Sequence, residues 1–439
     1  MCYNEYAGVQ RQPAGDQRMI VGSLQLDILS LIGLVIICAY LASKGMQRIG
    51  VPQVVGFILV GVLLGSSFLD IVPLPLVREL AFVSEIALAL IGFDMGSHLR
   101  LGDLRRLGGS ILAILLCEGL GAFVLVSSGI YLLTRSVPTA LVFGALASAT
   151  APAATVDVLH EYHAEGPLTT TLMAVVGLDD ALSLLLFSVA ATIAESQLSG
   201  AAAVSLVPAL SLVLQEIGGA TLLGIVVGVP FQELLNRLEH EHAVYGFVVG
   251  VVIFVAGLAN SLGVSLILSL MTMGVVVANL RGDNSLYVRR VVERVGPVIY
   301  VLFFALVGAR LQVHLLPAMG LVGLTYLVMR TCGKLGGAWF GSVIGGAEPQ
   351  VRNYLGFGLL SQAGVAIGLA LSVAHRFDGY GVPGTQLGAM VISVITATTF
   401  VVQIVGPVML KFAVSQAGEL GKAVPVEERH TPRLTGTSL

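Results

Sequence analysis

What most constrains this chain is a succession of apolar stretches, each close to the roughly 20 residues with which a helix crosses the hydrocarbon layer. They follow one another almost from end to end. Of 439 residues, 56% are hydrophobic and only 11% are charged, with a mean hydropathy of +0.92. A soluble domain would carry about 25% charged residues. The expected fold class is therefore an all-α polytopic membrane protein.

Apolar runs bounded by charge, Pro or Gly place about thirteen transmembrane helices. They cover 25–43, 52–69, 78–97, 108–133, 137–159, 168–194, 203–229, 243–260, 262–280, 292–309, 316–345, 353–374 and 386–411. Cytoplasmic loops are enriched in Lys and Arg. Lys44, Arg48, Arg100, Arg105, Arg106, Arg281, Arg289, Arg290 and Arg294 fall in odd-numbered loops. Even-numbered loops hold few, among them Arg78, Arg135 and Arg376. One wrong break would scramble this asymmetry, which sets the N-terminus outside and the C-terminus in the cytoplasm. The expected location is a bacterial inner membrane.

Residues 1–24 read as a polar extracytoplasmic leader lacking the apolar core of a cleavable signal. Residues 412–439 read as a polar cytoplasmic tail, too short for a separate nucleotide-binding domain. A net charge of -3 gives no argument for a nucleic-acid partner. Four cysteines without short spacings define neither a disulfide framework nor a metal site. No cofactor is expected.

Residues 86–118 and 299–330 share an order of features: an apolar helix, a glycine-marked end, a loop, then a helix with one mid-span charge. Those charges are Glu118 and Arg330. The next helices also correspond, SATAPAAT at 148–155 with LLSQAGVAIGLA at 359–370. An odd offset in spans inverts the second copy. The expectation is two inverted six-helix repeats joined by a linker helix over 203–229. Inverted repeats with interrupted helices at their interface are the architecture of secondary transporters.

Ionisable side chains at mid-bilayer are costly and mark function. Glu118, Asp179, Asp180 and Arg330 are placed there, with Lys334 one turn after Arg330. Asp179 and Asp180 are neighbours on one helix, about 100° apart around its axis, so both can border one cavity. Adjacent buried carboxylates need compensating positive charge, from a proton or from a cation. Competition between the two at one site is antiport. Pro152 cannot donate to the carbonyl of Ser148 and crowds it, so the helix should break near Thr150. Freed backbone at this depth is tolerated only inside protein or beside water; Ser148 and Thr150 add hydroxyls to it. Glu118 and Arg330 are expected to form a buried charge pair, with an Arg330–Asp179 pair as the alternative. His160 and His163 fall in a cytoplasmic loop where they could titrate. Asp94, Arg310 and the cluster around Arg289 are read as membrane-boundary charges.

ATAPAAT, GLDDA, the R-x-x-x-K of MRTCGK and LLSQAGVAIGLAL together resemble the monovalent cation:proton antiporter superfamily. The likeness is to the branch with two adjacent aspartates, which holds bacterial Na+/H+ antiporters and eukaryotic relatives, and it covers residues 25–412. It implies a homodimer working by alternating access, in which a core domain moves against a dimerisation domain. Dimerisation helices would lie in 25–97 and 243–309 and core helices in 108–194 and 316–411. Crossed interrupted helices would meet beside the aspartates. The resemblance assigns cation binding and proton release to Asp180. It gives Asp179 a share of the ion site or a basic partner on the facing helix. Thr150 joins both aspartates as an expected Na+ ligand, with Pro152, Lys334, Ser361 and Gln362 in support. Several bacterial members have lysine where this chain has Arg330. Arginine keeps its proton at physiological pH, so Arg330 cannot be a proton carrier. The Glu118 and Arg330 combination resembles members associated with electroneutral exchange.

Potassium-efflux relatives pair a glutamine with the aspartate and add a nucleotide-binding domain. Both features are missing here, which favours Na+ or Li+ over K+. Intramembrane proteolysis needs aspartates on different helices, and no second mid-span aspartate is matched to Asp180. The chain is expected to be no enzyme. A K+/H+ antiporter, or a sodium-coupled solute symporter on a related fold, is the alternative transporter. The expected partners are the cation, H+, a second copy of the chain and membrane lipids.

Overall fold

The computed structural model describes residues 19–21, 24–199, 207–235, 237, 241–280 and 285–423. Most of the expected leader, the start of the expected linker helix, Arg281 and the tail beyond 423 lie outside the described residues. A two-stranded antiparallel ribbon, β1 (Met19–Val21) and β2 (Leu24–Leu26), precedes a helical body. The first helices are α1 (Ile28–Arg48), α2 (Gln53–Leu64), the short α3 (Leu74–Glu79) and α4 (Ala81–His98). Next come α5 (Leu101–Thr134), α6 (Val137–Ser148), α7 (Pro152–Glu161) and α8 (Pro167–Ser199). Then follow α9 (Val207–Leu235), α10 (Glu241–Leu262), α11 (Leu266–Asn279) and α12 (Ser285–Arg310). The chain closes with α13 (Gly320–Ile344), α14 (Pro349–Gly358), α15 (Gly364–Phe377) and α16 (Gly381–Gln416).

Among the described residues, seven helical segments are long and apolar enough to cross a membrane. Shorter apolar helices, α2 and α11, accompany them. Two segments that read as continuous apolar runs are each divided. The first separates into α6 and α7 around 149–151, because Pro152 opens α7 at a position where its missing N–H costs nothing. The second separates into α14 and α15 around 359–363. The two breaks face each other: Ala151 N donates to Ser361 O at 3.0 Å.

The helices fall into two packing groups. In one, α4 lies on α10, α11 and α12, while α1 and α2 pack on α12. In the other, α5 packs along α13 and beside α6 and α8, with α14 to α16 around them. The α5–α13 contact is close because small residues let the backbones touch. A Cβ on Gly333 would lie 2.5 Å from Ala122 Cα, and one on Gly337 would lie 2.6 Å from Glu118 Cα. Gly341 and Gly345 continue the stripe against Ile114 and Ser110. The half-helix α7 touches α2, α4, α8 and α16.

The tail beyond α16 begins as packed structure. Glu419 is buried and accepts from Leu168 N at 2.7 Å and Thr169 N at 2.8 Å. A carboxylate there satisfies orphan donors of α8 and complements its dipole.

Candidate ion-exchange site

The centre of the site is Lys334, fully buried on α13. Its Nζ lies 2.5 Å from Glu118 Oε2 on α5 and 3.0 Å from Asp179 Oδ2 on α8. It also donates to Thr150 Oγ1 at 2.9 Å and to the backbone carbonyl of Ser148. One ammonium thus links two carboxylates to the first break. The glycine stripe makes this reach available, because it holds α13 flush against the turn of α5 that carries Glu118.

Arg330, one turn earlier on α13, serves the two breaks. Its Nε donates to Ala147 O at 3.1 Å, Nη1 to Leu360 O at 2.7 Å, and Nη2 to Ala149 O at 2.8 Å. A longer contact reaches Ser361 O at 3.4 Å. These acceptors are carbonyls that the divided helices leave without intrahelical partners. Gln362 fastens the same region from the other break, donating to Leu146 O at 2.7 Å and to the Tyr326 hydroxyl at 2.8 Å.

The expected Glu118–Arg330 pair is therefore corrected, and so is its Arg330–Asp179 alternative. Lys334 occupies the place between the carboxylates, and the guanidinium turns to the carbonyls. The physical reason is fit: a planar fork matches several divergent carbonyls, whereas a compact ammonium fits between two carboxylates. Arg330 is still no proton carrier, but the cation beside Asp179 is Lys334, whose ammonium can give up a proton.

Asp180 is half-buried, and its Oδ1 accepts no hydrogen bond from the described residues. The Oδ1 atom of fully buried Asp179 is likewise without a donor. Ser148 Oγ turns back to Ala145 O at 2.7 Å, so its hydroxyl proton is committed to its own helix. The fold thus gathers Glu118, Ser148, Thr150, Pro152, Asp179, Arg330, Lys334, Ser361 and Gln362 around the two breaks, with Asp180 next to Asp179 on α8.

A second polar cluster escaped the sequence reading. Asp94 is fully buried, and its Oδ2 lies 3.0 Å from His160 Nε2. His98, on the same helix, stands 3.7 Å from Asp94 Oδ1. Nearby on α7, Glu161 accepts from Gln53 N at 2.8 Å and Gln47 Nε2 at 2.9 Å. A carboxylate set among apolar residues, between "GF" and "MG", was the available signal. Its histidine partner comes from another helix, which spacing alone cannot supply.

Comparison with known proteins places this chain in a class of transporters. The model of the family described as "Sodium/hydrogen exchanger, transmembrane" matches residues 32–412. The chain belongs to that family; it is a multi-pass membrane cation:proton antiporter and not an enzyme. It is 22% identical over 316 residues to the ammonium/H+ antiporter subunit AmhT of Alkalihalophilus pseudofirmus, covering 70% of this chain and 78% of that protein. An uncharacterised protein of Methylorubrum extorquens is 31% identical over 102 residues, 22% of this chain and 36% of its own length. In fold, the chain is similar to the sodium proton antiporter MjNhaP1 of Methanocaldococcus jannaschii, seen in two structures. The one at pH 8 has a TM-score of 0.65 and 19% identity, over 90% of this chain and 99% of the other. The electron-microscopy structure has a TM-score of 0.69 and 18% identity, over 91% of this chain and all of the other.

Proposed function

We propose that the chain exchanges a monovalent cation for a proton at Asp180 and Asp179, by alternating access of the two interrupted helices and α8 to either side of the membrane. The observation that carries this reading is a charge count. The site holds three carboxyl groups, Glu118, Asp179 and Asp180, against two cations, Lys334 between the first two and Arg330 on the neighbouring carbonyls, and the described residues of the site offer no further cation. Fully ionised, the cluster is one positive charge short. A proton or a monovalent cation supplies it, and the two compete for one vacancy.

Thr150 Oγ1, carboxylate oxygens of both aspartates and carbonyls at the first break are the oxygen donors a hard cation requires. Na+ or Li+ is the favoured ion. The relative AmhT is named as an ammonium/H+ antiporter, so NH4+ and K+ belong in the same test. The thirteen-span count fits an arrangement in which α6–α7 and α14–α15 each count as one interrupted span and α3 does not cross. In that arrangement α5 to α8 and α13 to α16 form two inverted core halves, α9 links the repeats, and the remaining helices make the dimerisation domain of a homodimer. The N-terminus lies outside and the C-terminus in the cytoplasm.

Everted vesicles with an imposed pH gradient and a pH-reporting dye test this directly. Addition of Na+, Li+, K+ or NH4+ is expected to dissipate the gradient, at higher cation concentration as the pH falls. Asp180→Asn is expected to abolish the response while the protein elutes and melts as a folded species. Exchange at the wild-type rate in that variant would remove Asp180 from the mechanism. Cation-independent proton movement would sink the antiport reading.

A further inference from the structure

The cluster between α4 and α7 shares no residue with the ion-exchange site. We propose that Asp94, His98 and His160 bind a divalent transition-metal ion, best matched by Zn2+, that fastens α4 to the half-helix α7. One ligand atom from each residue lies within 4.8 Å of the other two. His160 Nε2 and Asp94 Oδ2 are 3.0 Å apart, and His98 Nδ1 and Asp94 Oδ1 are 3.7 Å apart. Ligands about 2.0–2.2 Å from a tetrahedral zinc stand roughly 3.3–3.5 Å from each other. The cluster therefore needs only side-chain adjustment to close on the ion.

The donor set supports the choice of metal. Two imidazoles and one carboxylate are a known zinc set that leaves a fourth position for water. Magnesium and calcium prefer all-oxygen cages. Burial divides the roles among the three residues. Asp94 is 0% exposed and supplies the negative charge, whereas the His98 and His160 side chains, 21% and 29% exposed, provide the entry. His98 Nδ1 lies 2.9 Å from the carbonyl of Asp94, so the ring ligates either through Nε2 with that hydrogen bond kept or through Nδ1 with it given up. The ring centroids of the two histidines are 5.7 Å apart, close enough for one ion to address both.

The consequence for transport rests on the proposed function, in which α4 and α7 belong to bodies that move past each other. A metal held by both would slow that movement. The test begins with binding, which needs no transport. Purified full-length protein is titrated with Zn2+ against a chromophoric chelator. About one Zn2+ per chain is expected, with His98→Gln and His160→Gln each weakening it at least tenfold, since even outer partners of a zinc ligand cost 10–100-fold. Melting curves confirm that these variants fold. In vesicles, Zn2+ should slow cation-driven proton movement by the wild type and leave the double variant unaffected. No stoichiometric uptake, or uptake unchanged in both variants, overturns the site. Uptake that depends on the histidines without any change in exchange overturns the fastening of α7.

Discussion

Lys334 is where the charges of the site meet, and its removal gives the sharpest single-residue prediction. Glu118 and Asp179 are both fully buried and share its ammonium. Breaking a buried ion pair by deleting one partner typically costs about 3–5 kcal/mol, because the remaining charge is stranded. Lys334→Gln strands two. It is expected to lower the melting temperature in detergent sharply and to abolish exchange. Adding Glu118→Gln removes one of the stranded charges, so the double variant should melt above Lys334→Gln alone. A double variant that melts lower still would show that Glu118 is not held by Lys334. The same comparison explains a limit of sequence reading. Arg330 and Lys334 stand one turn apart on one helix, and both were legible as buried cations. Which of them reaches Glu118 depends on the axial position of α13 against α5, and no local spacing encodes that.

That axial position belongs to the glycine stripe on α13, and it can be tested one glycine at a time. Gly333 sits where a Cβ would come within 2.5 Å of Ala122 Cα, while Gly336, beside the stripe, has nothing within 4 Å. Overpacking a tight contact typically costs about 1–3 kcal/mol, and here the obstacle is backbone that cannot rotate away. Gly333→Val is expected to separate α13 from α5, lower the melting temperature and weaken or abolish exchange. Gly336→Ala is expected to leave both unchanged. Equal behaviour of the two variants would mean that the stripe does not set the helix spacing. Among the elements, the division at 149–151 was readable because Pro152 has a local mechanism, loss of a donor and a clash with the preceding turn. The division at 359–363 lacks a proline and rests on tertiary partners: Arg330 holds Leu360 and Ser361 carbonyls, and Gln362 reaches back to Leu146. The sequence marked it only through its likeness to the first. Glu419 shows the opposite case, a polar tail residue that reads as solvent-facing and instead caps α8.

The balance of charge across the complete transport cycle yields the last prediction, the stoichiometry. Two schemes are chemically open. In one, Lys334 keeps its proton throughout and only Asp180 alternates between proton and cation, so the loaded states carry equal charge and exchange is electroneutral. In the other, the cation also displaces the proton of Lys334, and two protons move per cation. The geometry favours the first. Deprotonating Lys334 would take its positive charge from between Glu118 and Asp179, both fully buried, and leave the one entering cation to serve all three carboxylates. Stranded buried charge is the costly outcome. Exchange by the wild type is therefore expected to reach the same final gradients at zero and at imposed membrane potential. A two-proton exchanger would move one net charge, worth about 2.3 kcal/mol at 100 mV, which shifts the final cation gradient roughly fiftyfold. Glu118→Gln sharpens the test, since it frees Lys334 from one of its two carboxylates and lowers the cost of losing the proton. If Glu118 is what keeps Lys334 charged, this variant should turn potential-dependent while the wild type is not. A wild type that already responds to potential would show that Lys334 gives up its proton despite Glu118, and the one-vacancy reading of the site would have to become a two-proton one.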